Sequence, residues 1–137
     1  MKKKDLLIVD FDPDVISHIA AHKYTHLFGD IADEAILEEA QLDQARLVIS
    51  TSPDVSDNLT LLAYIATLPK KPATIFRAEN EAEAVRLYQS GADYVLIPQI
   101  SSGTYLGKIL SLDPRFRSLK LLKHSDLTHT MEELLGM

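Results

Sequence analysis

A chain of 137 residues with 46% hydrophobic and 25% charged side chains suits one globular core and is short for two ordinary domains. Its net charge of −6 argues against nucleic acid as the main partner, since neutralising phosphates takes a basic face and positive charge clusters only in Lys2–Lys4 and Arg115–Lys123. There is no cysteine, which excludes disulfides and thiolate chemistry and is compatible with a reducing cytoplasm, and the apolar run behind the first lysines is far shorter than a signal-peptide core or a membrane span.

Short apolar runs alternate with longer segments of helical period. "DLLIVD" (5–10) reads as a strand, and "PDVISHIAAHK" (13–23) as a helix with Pro13 suited to its first turn. "THLFGD" (25–30) is a short second strand, followed by a helix over "DEAILEEAQL" (33–42) that gathers Ile36, Leu37 and Ala40 on one face. "ARLVIST" (45–51) is a continuous β-branched run of the kind buried on both faces of a sheet. A helix over "DVSDNLTLLAYIATL" (54–68) then carries an inner stripe of Leu59, Leu62, Ala63 and Ala66. "ATIFRA" (73–78) is the next strand, and "NEAEAVRLYQSG" (80–91) a helix stopped by Gly91 in the left-handed conformation. "ADYVLIP" (92–98) is a strand closed by Pro98, and "SGTYLGKILSL" (102–112) the last helix of the series. Five strand–helix alternations predict an α/β fold with a parallel sheet and helices on both faces. The domain spans residues 1–112. The tail, 113–137, breaks the rhythm and is predicted to hold a short amphipathic helix at "MEELL", with Ser125 or Asp126 as its cap.

In such a sheet, ligands bind beyond the carboxyl ends of the strands. Those ends carry Asp10 and Asp12, Gly29 and Asp30, Ser50, Thr51 and Ser52, Arg77, and Pro98 with Gln99. Asp10 is placed to accept hydrogen bonds from both hydroxyls of a ribose, or else to form a turn. "STSPD" (50–54) offers hydroxyls and amides ahead of a helix, either as an anion site or as plain capping. Arg77 can meet a phosphate or pair with Asp10, Asp30 or Glu79. His18 and His22, four apart on one helix, have the spacing of zinc ligands, but the chain has no cysteine to join them and reads better with both as ordinary helix histidines. No nucleophile elbow, phosphate-binding Gly/Lys loop or paired-acid arrangement appears, so no enzymatic activity is predicted.

The segments "VDFDPD", "GDIADEAILEEAQLDQARLVISTSPDVSDNLTLL" and "FRAENEAEAVRLYQSGADYVLIP" together resemble the TrkA-N (RCK amino-terminal) regulatory domains of potassium transport systems, and most of all the branch at the cytosolic end of Kef-type cation/proton antiporters. The resemblance covers Asp5 to about Leu110. It implies a three-layer Rossmann-like domain that binds NAD(H) or an adenine nucleotide such as AMP or ATP and passes the binding state to a membrane transporter or antiporter. The implied ligand residues are Asp10 and Asp12 at the ribose, Asp30 on the adenine side, Ser50 and Thr51 beneath the sugar and phosphates, and Arg77 near the phosphates. It further implies a cytoplasmic homodimer.

The family's domain opens with a strand, a Gly-x-Gly-x-x-Gly turn and a helix, and residues 1–137 contain no such turn. A fragment starting at an internal methionine, a domain completed by another chain, and a domain that has shed its cofactor all fit this departure. Removing the first strand from the order 3-2-1-4-5-6 and closing the gap leaves 2-1-3-4-5, so a single five-stranded parallel sheet is predicted. That order also belongs to receiver-type signalling domains, which "LIVDFDPDV" and "GADYVLIP" resemble. A receiver would need an acceptor Asp where this chain has Ser50 and Thr51, and a Lys where it has Ile97, with Asp54 falling a few residues late. A third reading is an interaction or dimerisation module that binds no small molecule.

Overall fold

A computed structural model describes Lys2 and residues 5–135. The predicted alternation is present. Strand β1 (Leu7–Asp10) leads to helix α1 (Pro13–Ala21), β2 (Thr25–Phe28) to α2 (Glu34–Glu39), and β3 (Leu47–Ser50) to α3 (Val55–Ala66). Strand β4 (Ala73–Arg77) leads to α4 (Glu81–Gln89), and β5 (Tyr94–Leu96) to α5 (Pro98–Leu112), after which comes α6 (Ser118–Leu135). Local chemistry sets these boundaries. Asp12, Asp33 and Asp54 cap α1, α2 and α3 by accepting from the amides of Asp14, Ala35, and Ser56 with Asp57. Asn80 caps α4 by accepting from the Glu83 amide, and Gly91, at φ 104°, ends that helix in the backbone region where a side chain is strained.

All strand pairs are parallel, and the fold is α/β and Rossmann-like. The predicted single sheet of order 2-1-3-4-5 is not formed. The strands make two sheets, β1–β2 and β3–β4–β5, with β1 and β3 left unpaired to one another. Leu37 on α2 is buried in the cluster formed by Leu61, Leu62, Ile65, Phe76 and Leu87, against which Ile31 and Leu42 pack, so α2 is tied to the core without β1 pairing with β3.

This core lies on one face of the β3–β4–β5 sheet. Alternation along the strands turns Ser50, Thr74, Phe76 and Val95 inward toward α3 and α4, with Phe76 and Leu87 fully buried. The other face carries Leu47, Ile49, Tyr94 and Leu96, all exposed, with Leu47 at 49% and Ile49 at 58%. Strand β3 is therefore covered on one side, against the two-sided burial expected from its composition. The inner stripe of α3 is also displaced by one residue from the prediction. Asn58, Leu61, Leu62 and Ile65 are buried, while Ala63 and Ala66 are exposed. Both sets obey the i, i+3, i+4, i+7 spacing, and a polar Asn58 at the head of the real stripe disguises its phase.

The chain forms two compact units, Met1–Ile97 and Pro98–Met137. In the second, α5 begins at Pro98 itself, four residues earlier than predicted. The short helix expected at "MEELL" is the end of an 18-residue helix, α6. Its amino terminus is held by Asp113, whose Oδ2 accepts from the Ser118 amide and hydroxyl at 2.5 Å each, so Ser125 and Asp126 lie inside the helix rather than capping it. Among the described residues no helix is long and apolar enough to cross a membrane.

Candidate functional site

The carboxyl end of the β1–β2 sheet brings two predicted residues together. Asp10 ends β1 opposite Phe28, and the Gly29 amide donates to the Asp10 carbonyl at 2.9 Å, so Asp30 emerges beside it. Each aspartate folds its own loop: Asp10 Oδ1 accepts from the Asp12 amide (2.9 Å), and Asp30 Oδ1 from the Ala32 amide (2.8 Å). In both carboxylates the described bonds engage Oδ1. Asp12 is exposed, and its carboxylate caps α1 through the Asp14 amide. Gly29 is required where it stands, since a Cβ there would lie 2.3 Å from Ile36 Cδ1. That close approach lets α2 fold back over the strand end and is the physical content of the Gly-Asp pair.

The carboxyl end of β3–β4–β5 is organised by a residue that sequence reasoning did not single out. Asn58 is fully buried. Its Oδ1 accepts from Ser50 Oγ (2.5 Å), and its Nδ2 donates to the carbonyls of Ser52 (3.0 Å) and Arg77 (3.2 Å). One side chain thus ties the ends of β3 and β4 to α3. The signal was present in the sequence as a polar residue at the head of a helical apolar stripe, eight positions after a strand-end serine. Thr51, next in the chain, is exposed. Arg77 is half-buried and pairs with Glu79, Nη2 to Oε1 at 2.9 Å, which is one of the structural pairs predicted for it. Its Nε is buried and has no hydrogen-bond partner.

The "STSPD" segment is arranged as a cap. Asp54 Oδ1 accepts from the amides of Ser56 (2.8 Å) and Asp57 (3.1 Å), which engages donors that an anion would otherwise use. Negative charge collects here as well. Burial first, then the charges of Asp54 and Asp30, push the Asp57 carboxyl above the usual carboxylate range. Together with the Asp54 cap, this charge disfavours a bare phosphate at the head of α3. His18 and His22 lie together on α1, ring centroids 4.4 Å apart, with His22 Nδ1 2.8 Å from the His18 carbonyl.

Parallel strands, crossover helices and acids at the carboxyl ends define a protein of the Rossmann-type fold class. Within that class the chain belongs to the TrkA-N domain family, whose sequence profile matches residues 1–98. It is 28% identical over 108 residues to "Probable potassium channel protein 2" of Methanocaldococcus jannaschii, a match that takes in 75% of this chain and 31% of that protein. The chain thus spans about a third of that relative's length. Among solved structures it is similar to the TrkA-N domain of the inner membrane protein ybaL from Escherichia coli, at TM-score 0.70 and 20% identity over 77% of this chain and 78% of that one. It is also similar to the Shewanella denitrificans Kef CTD in its AMP-bound form, at TM-score 0.58 and 16% identity over 92% and 90% of the two chains.

Proposed function

We propose that this chain is a regulatory, non-enzymatic domain of a potassium or cation/proton transport system, and that it senses an adenine nucleotide at the rim of its first sheet. The observation that carries the reading is the placement of Asp10 at the end of β1 and of Asp30 just past the end of its paired strand β2, each carboxylate folded into its loop through Oδ1. Asp10 accepts from the ribose hydroxyls, Asp30 lies on the adenine side, and Ser50 and Thr51 form the strand end beneath the sugar. Arg77 serves the phosphate, with Asp12 at the pocket's outer edge. The ligand is an adenine nucleotide, AMP, ATP or NAD(H), and because α3 is capped by its own Asp54 the phosphates fall to Arg77. The AMP-bound Kef CTD and the NAD-bound GsuK channel, both of this fold, support an adenine nucleotide without ranking the two. The domain acts in the cytoplasm as a homodimer joined to or docked on a membrane transporter or antiporter, and it conveys ligand occupancy to it.

Calorimetric titration of AMP, ATP, NAD and NADH tests the reading. Binding of AMP or ATP is expected to weaken about tenfold or more in Asp10→Ala, the loss of one charge-assisted hydrogen bond of roughly 1.5–3 kcal/mol. Silence from all four ligands overturns nucleotide sensing, and undiminished binding by Asp10→Ala overturns the assigned site.

A further inference from the structure

The turn between α5 and α6 carries a basic cluster that the nucleotide site leaves unused. From Leu112 to Lys123 stand four cations, Arg115, Arg117, Lys120 and Lys123, against one carboxylate, Asp113, in a chain of net charge −6. All four cations are exposed, and among the described residues none of them forms an ion pair. The Asp113 carboxylate serves the chain itself: its Oδ2 accepts from the Ser118 hydroxyl and amide, bonds that hold its carboxyl below the usual carboxylate range. Arg115 and Arg117, with Asp113 and Pro114, line a surface hollow of about 280 Å³. Between the two arginines stands Phe116 at φ 56°, in the left-handed region that a bulky side chain seldom enters, and its amide donates to the Asp113 carbonyl at 3.0 Å. Its ring is 57% exposed, and Leu112 and Leu121, on either side of the turn, are exposed at 86% and 73%.

We infer that this turn is a docking surface for an anionic lipid bilayer. The hollow between Arg115 and Arg117 takes a phospholipid phosphate, and Phe116, Leu112 and Leu121 rest among the upper acyl chains. Guanidinium groups match phosphate oxygens in geometry as well as charge. Each basic side chain held near an anionic membrane strengthens binding about fivefold. Exposed phenylalanine and leucine set among such cations are the composition of segments that lie in the membrane interface. A nucleic acid would use the same cations but leave the three apolar side chains in water. The acids of α6, Asp126, Glu132 and Glu133, all follow the basic run. Fields are screened over about 10 Å at 0.1 M salt, so the local positive charge decides the contact despite the acidity of the whole chain.

The test is co-sedimentation of the full 137-residue chain, without nucleotide, with vesicles of mixed phosphatidylglycerol and phosphatidylcholine and with vesicles of phosphatidylcholine alone. Binding is expected on the mixed vesicles only, and it should fade toward about 1 M salt, where screening shortens to about 3 Å. Arg115→Gln combined with Arg117→Gln is expected to weaken it about thirtyfold, two steps of about fivefold each. The chain has no tryptophan, so Phe116→Trp supplies a single reporter whose emission should shift to the blue on mixed vesicles. Phe116→Gly, which suits the left-handed backbone and so keeps the turn, should weaken binding severalfold. Five results overturn the inference: no binding to mixed vesicles at low salt; equal binding to phosphatidylcholine alone; unchanged binding by the double glutamine variant; full release by millimolar inorganic phosphate, which would make the hollow a site for a free anion; or tighter binding of polyglutamate than of vesicles, which would assign the turn to an acidic protein surface. None of these outcomes involves a nucleotide, so this inference and the proposed nucleotide sensing fail separately.

Discussion

The two sheets of this protein differ in what holds them. The β3–β4–β5 sheet with α3 and α4 owns nearly all of the buried core, including fully buried Phe76, Leu87 and Asn58. It is knitted by side-chain bonds as well: Thr74 and Asp93 bond reciprocally, with the Thr74 amide donating to Asp93 Oδ2 at 2.8 Å and the Asp93 amide to Thr74 Oγ1 at 3.0 Å. The β1–β2 sheet with α1 contains no fully buried side chain and reaches the core through Leu37 of α2. Yet it is this lightly held sheet that presents Asp10 and Asp30. Ligand-responsive elements belong to the less stable part of a fold, because binding can shift only what is able to move.

Three changes probe that contrast, beginning with the largest effect. Phe76→Ala removes a fully buried ring from the rigid half and is expected to cost about 3–5 kcal/mol, seen as a large drop in the urea midpoint for the whole chain. A loss confined to one sheet, with the other still cooperatively folded, would break the idea of a shared core. Gly29→Ala acts on the lightly held half, where the new Cβ must displace Ile36; a cost of about 1–3 kcal/mol is expected. Hydrogen exchange should place that cost mainly in residues 7–46. Faster exchange in β4 and β5 instead would show that the two halves open as one.

The smallest effect concerns pH. The Asp57 carboxyl titrates above its unfolded value, so between the ordinary carboxylate range and its raised value the native state holds more protons than the unfolded chain. Stability from this group therefore falls as pH rises through that window, and the penalty is fully present at neutral pH. Asp57→Asn is expected to raise the melting temperature at pH 7 and to lose this advantage below the ordinary carboxylate range. The opposite sign would mean that the charge of Asp57 serves the head of α3 more than it repels Asp54 and Asp30.

Much of the candidate site could be read from the chain. Asp10, Ser50 and Arg77 end strands and Asp30 follows one by two residues, and strand ends are visible wherever an apolar run stops on polar residues. The Gly-Asp pair was legible too, although the reason for its glycine, the approach of Ile36, is a tertiary contact. Asn58 escaped because amphipathic periodicity treats a polar residue as outward-facing, whereas here its amide satisfies three buried or partly buried groups. The competition at α3 between anion site and cap was open from sequence, since the hydroxyls, amides and acid of "STSPD" serve both. The geometry of Asp54 decided it in favour of the cap.

The sequence by itself determined the alternation of strands and helices, the left-handed stop at Gly91, and the acids at the rim. Each follows from interactions within a few residues, which local pattern and backbone preference encode directly. The pairing of strands, the phase of α3, the full length of α6 and the break between β1 and β3 were decided only by tertiary structure. Sheet closure depends on hydrogen bonds between edges distant in the chain, and no local pattern records which edges meet.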